Sequence, residues 1–170
     1  MNLEYNKTFH IHRKNKVAII WSAKAACTTV NHMIFDHEGL LENALKYDKW
    51  IHRYRQDYIS KNNKQNKSFL SAIPETNFIQ FCVNPYRRAV SSYLHAMSSK
   101  KNYIGEQNRN ISFLTFLRRI LKGEIAPNSH HNKQTFFTNN YKNIYVVKME
   151  NIKNEITTMN RQFNLNYKFK

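Results

Sequence analysis

The run Val17-Ala18-Ile19-Ile20-Trp21, followed by Ser22-Ala23-Lys24-Ala25-Ala26-Cys27-Thr28-Thr29, constrains the fold more than any other part of the chain. Five apolar residues in a row, three of them β-branched, read as a strand buried on both faces. A turn of small residues with one lysine follows, and then a helix-like pattern with Val30, Met33 and Ile34 on its inner face. Such a strand–loop–helix unit leaves backbone N–H groups unpaired at the helix start, where the dipole favours negative charge. Lys24 adds a positive charge, and Thr28 and Thr29 add hydroxyl donors. The segment is a candidate cradle for a phosphate or sulfate group; the plain alternative is an ordinary βα turn with an exposed lysine. It is not the nucleotide-triphosphatase loop GxxxxGK[ST], because Lys24 stands four residues before Thr28 and the loop has no glycine. Nor is it a phosphatase cysteine loop, since no arginine follows Cys27 through Met33.

A second strand is expected over Asn77–Val83, broken by Asn84-Pro85, with a helix from Tyr86 to Met97 whose start Pro85 suits. Leu41, Leu45, Trp50, Ile51, Tyr54 and Tyr58 give the stretch 40–58 a roughly helical spacing. Ser112 is placed to cap a helix carrying Phe113, Phe116, Leu117, Ile120 and Leu121, which Gly123 ends. A third strand is expected at Ile144–Val147, with a last helix reaching about Phe163. Residues 1–16 read as a polar, basic lead-in that sets His10 and His12 near the sheet edge, and the Asn/Lys-rich stretch 60–67 and the stretch 100–110 read as loops. Strands separated by helices predict an α/β fold, a parallel sheet flanked by helices, built as one domain over residues 1–170. Ligands of such sheets bind at the carboxyl ends of the strands, where both the Lys24 loop and the Asn84-Pro85 turn fall.

The chain has 27 Lys+Arg against 11 Asp+Glu, a formal net charge of +16. That favours an anionic partner: a nucleotide, an acidic glycan, nucleic acid or a membrane surface. An Asn-, Lys- and Ile-rich composition with only 3 Gly accounts for part of the excess. Two cysteines, Cys27 and Cys82, make no disulfide framework, and no Cys/His spacing suggests a structural metal, so no metal is expected. No apolar run approaches the about 18 residues of a membrane span, and no leader is visible; a cytoplasmic location is the expectation.

Several segments together resemble the sulfotransferases, especially the carbohydrate sulfotransferases, over roughly residues 17–155. The segment 22–29 is similar to that family's 5′-phosphosulfate loop. Phe81-Cys82-Val83-Asn84-Pro85-Tyr86-Arg87-Arg88-Ala89-Val90-Ser91-Ser92-Tyr93 is similar to its 3′-phosphate strand–turn–helix. Ile111–Leu117 resembles the Ser/Thr-Phe-x-x-Phe helix that follows, Asn128–Gln134 a His-Trp-x-Pro-Gln element, and Tyr145–Ile152 a late strand ending in Glu-x-Leu. Two departures stand out. Ala23 and Ala26 occupy positions where the family usually has proline and glycine, and Val83, eight residues before Ser91, stands where it has its 3′-phosphate arginine.

The resemblance implies a P-loop-like fold. It also implies transfer of a sulfuryl group from 3′-phosphoadenosine 5′-phosphosulfate (PAPS) to a hydroxyl of a carbohydrate or similar acceptor. Lys24 would stabilise charge on the leaving oxygen, with backbone N–H groups over Ala25, Ala26, Cys27 and Thr28. Thr28 and Thr29 would hold the 5′-phosphate, and Ser91 with Arg87 or Arg88 the 3′-phosphate. An acceptor hydroxyl needs a base, for which His130 is the first candidate, His52 the second and Glu38 the third. Trp50, Arg53, Tyr54 and Arg55 are candidates for an acceptor face, with core packing as the alternative for the two aromatics. Two other functions compete: a basic polyanion- or nucleic-acid-binding protein using its 10 Tyr and 11 Phe, and a sulfotransferase-like fold that binds without turnover.

Overall fold

The computed structural model describes residues 9–12, 14–58, 61, 77–99, 104–132, 134 and 143–169. Strands β1 (Phe9–His12), β2 (Val17–Trp21), β3 (Asn77–Cys82) and β4 (Ile144–Lys148) form one open sheet in the order β1-β2-β3-β4. β2, β3 and β4 are mutually parallel, with Trp21 opposite Phe81 and Phe81 opposite Val147. β1 pairs antiparallel with β2, so the sheet is mixed, which corrects the expectation of a parallel sheet throughout. The reason lies in Phe9-His10-Ile11-His12, which alternates apolar and polar. Such a strand suits a sheet edge, and it lacks the continuous apolar run by which the buried strands announce themselves.

Six helices lie among the described residues: α1 (Cys27–His37), α2 (Leu41–Tyr47), α3 over residues 51–58, α4 (Pro85–Ser98), α5 (Phe113–Leu121) and α6 (Ile152–Phe163). The helical spacing over 40–58 is split into α2 and α3. Asp48 is extended (φ −157°, ψ 143°), and its Oδ1 accepts a 2.7 Å hydrogen bond from Trp50 N just before α3 begins. Asx side chains bond nearby backbone N–H groups in this way, which breaks a helix and caps the next. α4 starts as expected: Pro85 is its first residue, and Asn84 Oδ1 accepts from Tyr86 N at 2.9 Å. Ser112 Oγ caps α5 through Thr115 N at 3.2 Å. Gly123, at φ 73°, follows its last turn in a conformation that costs glycine nothing.

All five residues of β2 are buried. Val17, Ile19 and Trp21 join Ile79, Phe81 and Val147 under α1, α3 and α6, while Ala18 and Ile20 face the other way with Phe9, Ile11 and Phe78. A third cluster, Ile104, Phe116 and Ile125, packs with Tyr93 and Met97 of α4. Each large side chain buried in these clusters contributes roughly 1.5–3 kcal/mol. At the amino end of the parallel strands, α1 closes on Glu38, whose Oε1 lies 3.3 Å from His10 Nε2. Beside it, His12 Nε2 and His37 Nε2 are 3.0 Å apart, with the Tyr167 ring against His37. Among the described residues, no helix is long and apolar enough to cross a membrane. Of the two stretches read as loops, residue 61 and residues 104–110 are described; the rest of 60–67 and 100–110 lies outside the described residues, as does Lys133.

Candidate anion-binding site

The Lys24 loop leaves the carboxyl end of β2 and turns sharply, Ala25 N donating to Ser22 O at 3.1 Å. Lys24 (φ 62°) and Ala26 (φ 54°) are both left-handed, a conformation that costs a residue with a Cβ roughly 1–2 kcal/mol. Ala26 is the N-cap of α1, a position where glycine would adopt the same conformation without that cost. Ala25, between them, is wholly buried. No side chain caps α1 and no acid lies in its first turn, so nothing in the helix's own first turn offsets its positive end.

The neighbouring parallel strand brings the second motif alongside. Arg88, buried on α4, donates from Nε to Ala23 O at 2.9 Å, from Nη1 to Asn132 O at 2.5 Å and from Nη2 to Ser129 O at 3.1 Å. Its guanidinium braces the Lys24 loop against the loop over 128–132, and burial lowers its pKa. Arg88 is thus spent on carbonyl groups, leaving Arg87, exposed, as the arginine that faces outward. Ser92 Oγ lies within hydrogen-bond reach of both Arg88 O and His130 O, and its single proton goes to one of them. Gln134 reads both backbone groups of Val83: its Oε1 accepts from Val83 N at 3.1 Å and its Nε2 donates to Val83 O at 2.7 Å. Glu150, just past β4, accepts from Asn84 N at 2.7 Å. Lys24, Arg87, Ser91, His95 and Ser98 line one open cavity of about 770 Å³, together with the apolar α4 stripe of Tyr86, Val90 and Leu94.

His52 and His130 both meet this end of the sheet. His52, buried on α3, sets Nε2 3.1 Å from Thr28 Oγ1 and 3.6 Å from Cys27 Sγ, with Nδ1 3.5 Å from Asn31 Nδ2. Asn31 in turn bonds Cys27 O, fixing the amide one turn into α1. Burial, and then the positive charge of Arg55, push the His52 pKa down to about 4. The His130 ring packs edge-on against His95 at 4.5 Å, and burial followed by His95 and Lys24 push its pKa to about 4 as well. At neutral pH both rings are uncharged. Every charged neighbour that moves these two histidines is basic: Arg55, Lys24, Arg88 and other histidines. Among the described residues, no group of three or more His, Cys, Asp or Glu is placed to hold a metal ion.

Glu38, the third candidate base, is placed elsewhere. It ends α1, and an 11-residue helix puts it roughly 16 Å from the loop, paired with His10. Of the proposed acceptor face, Arg53 is exposed and lies 3.6 Å from Asp48, and Tyr54 packs edge-on against Phe35 at 5.2 Å. Trp50 is exposed, and Arg55 is buried. Two contributors to the site, Asn31 and His95, carry no motif of their own in the sequence, and Gln134 lies in a motif-like segment whose grip on Val83 the sequence does not show. Only the helical spacing Cys27–Asn31, four residues, hints at the first.

The fold and the site together define an open α/β protein whose strand carboxyl ends converge on a cationic loop–helix junction. No family model matches the chain, and neither a curated protein nor a solved structure does.

Proposed function

We propose that the chain is a sulfotransferase that moves a sulfuryl group from 3′-phosphoadenosine 5′-phosphosulfate to a hydroxyl of a carbohydrate or similar acceptor. The observation that carries this reading is a convergence. The segments 22–29, 81–93, 128–134 and 145–152, which resemble sulfotransferase motifs in that order, are bonded to one another at a single end of the sheet through Arg88, Gln134 and Glu150. The residues fit a ligand anionic at two points: Lys24 and the uncapped turn of α1 at one, Arg87 and Ser91 at the other, with Lys24, Arg87 and Ser91 on the same cavity.

When bound, the donor supplies an activated sulfuryl group. The chain's own residues then have separable tasks. Lys24 and the N–H groups of Cys27 and Thr28 hold negative charge in a place set before the ligand arrives, which is where electrostatic stabilisation is most effective. Thr28 and Thr29 hydroxyls position the 5′-phosphate, and Ser91 with Arg87 the 3′-phosphate. His52, uncharged and touching Thr28, or His130 takes the acceptor proton, within reach of Lys24's field. A second reading has one observation behind it. Val83 offers no charge, and both its backbone groups are taken by Gln134, which favours a fold that binds nucleotide weakly or without turnover.

Calorimetric titration with adenosine 3′,5′-bisphosphate, against adenosine 5′-phosphate, tests the reading. Micromolar binding that requires the 3′-phosphate is expected; equal or absent binding of the two would end it in favour of a general polyanion binder. Lys24→Ala is expected to remove turnover, by about a hundredfold or more, while changing the melting temperature little, since Ala keeps the same left-handed geometry. Bisphosphate binding without turnover in the wild type would leave the second reading standing.

A further inference from the structure

Arg55 is a largely buried cation with no counter-ion among the described residues. Its residue is 9% exposed, its Nε makes no hydrogen bond, and no ion pair involves it among the described residues. Guanidinium groups stay protonated even when burial lowers their pKa, as it does here. Burying such a group unpaired is strongly unfavourable, and native proteins retain it where something else supplies the charge. The position of Arg55 limits what that can be. It shares one face of α3 with Ile51 and His52, all three buried, and His52 from that face touches Thr28 and Cys27. The one group whose field raises the Arg55 pKa is Cys27, the first residue of α1. Arg55 therefore converges with the uncapped helix end, from a different element than Lys24.

We propose that Arg55 is the second cation of the anion site, pairing with a phosphate or sulfate group seated on the first turn of α1. The inference rests on the reading of the Lys24 loop as an anion cradle and adds a residue, and a charge, to it. It has a thermodynamic signature. The protein without ligand carries a largely buried guanidinium with no partner among the described residues, and an oxyanion pairs with it. An arginine that merely braced α3 against α1 by packing would behave oppositely.

The test is thermal unfolding against inorganic sulfate, inorganic phosphate and adenosine 3′,5′-bisphosphate, at constant ionic strength in chloride, for wild type, Arg55→Met, Arg55→Lys and Arg161→Met, an exposed control on α6. Wild type and Arg161→Met are expected to gain melting temperature with each anion at the same half-saturating concentration. Arg55→Met is expected to melt no lower than wild type in chloride and to need at least tenfold more anion. Arg55→Lys, which keeps the charge without the fork, falls between them and serves if the methionine variant does not fold. A wild-type anion response in Arg55→Met, or in Arg55→Lys with no change, would overturn the proposal. Bisphosphate binding that ignores Arg55 would sink this inference and leave the donor reading intact. An Arg55-dependent response to sulfate and phosphate, with no preference for the bisphosphate, would do the reverse.

Discussion

Arg88 shows how much one side chain can hold. Its three donors end on carbonyl groups from residues 23, 129 and 132, so its removal strands three acceptors in a half-buried junction. Arg88→Ala is expected to cost on the order of 3 kcal/mol in urea unfolding, and to loosen the Lys24 loop as well. Arg87→Ala, one residue away and exposed, should cost less than about 0.5 kcal/mol by the same measurement. The sequence makes the two arginines look interchangeable as phosphate ligands. They differ because the partners of Arg88 are backbone carbonyls, which leave no mark in a sequence. Lys24 stands out in the sequence for the opposite reason: it is a lone lysine among small residues after a buried strand. Arg55 was readable only as a candidate for an acceptor face, since burial without a partner is a property of the packed molecule.

Among the elements, those built on local chemistry could be read and those built on context could not. β2 and β3 declare themselves by apolar runs, α4 by Asn84-Pro85, and α5 by Ser112 and Gly123. β1 did not, because four residues with two histidines become a strand only when β2 offers an edge to pair with. The break between α2 and α3 rests on a single aspartate bonding two residues ahead, invisible to a count of apolar spacing. The N-terminus of α4 offers a clean measurement of one such local device. Asn84 Oδ1 satisfies Tyr86 N, with a longer 3.4 Å approach to Arg87 N, so Asn84→Ala should lower stability by about 1 kcal/mol. Asn84→Asp should keep the cap and add favourable charge at the helix start, so its urea midpoint should stay near that of the wild type.

For the whole molecule, charge is distributed by end. The carboxyl end of the strands gathers Lys24, Arg55, Arg88, His52 and His130, while the amino end holds His10, His12 and His37 around Glu38. His12, His52 and His130 all have folded pKa values below the ordinary histidine value of 6.5: burial dominates in each, joined by His37 for the first and by neighbouring cations for the others. A group whose folded pKa is depressed binds fewer protons folded than unfolded, so its contribution is complete above pH 6.5 and is lost as pH falls toward 4. Glu38, held low by its bond from His10, adds a loss of the same sign below its ordinary value of 4.5. Melting at pH 5 is therefore expected roughly 3–6 °C below melting at pH 7.5. Sulfate should narrow the gap, because an anion beside His52 raises its pKa. The same end of the molecule contains a further rung. Gln134 presents to Val83 the N–H and C=O that a neighbouring strand would present, extending β3 by one residue with a side chain in place of a backbone. The amide proton of Val83 therefore becomes a clock for the loop that carries His130: it should exchange with deuterium slowly in the wild type and at least tenfold faster in Gln134→Ala, while the amides of Ile79 and Phe81 keep their rates.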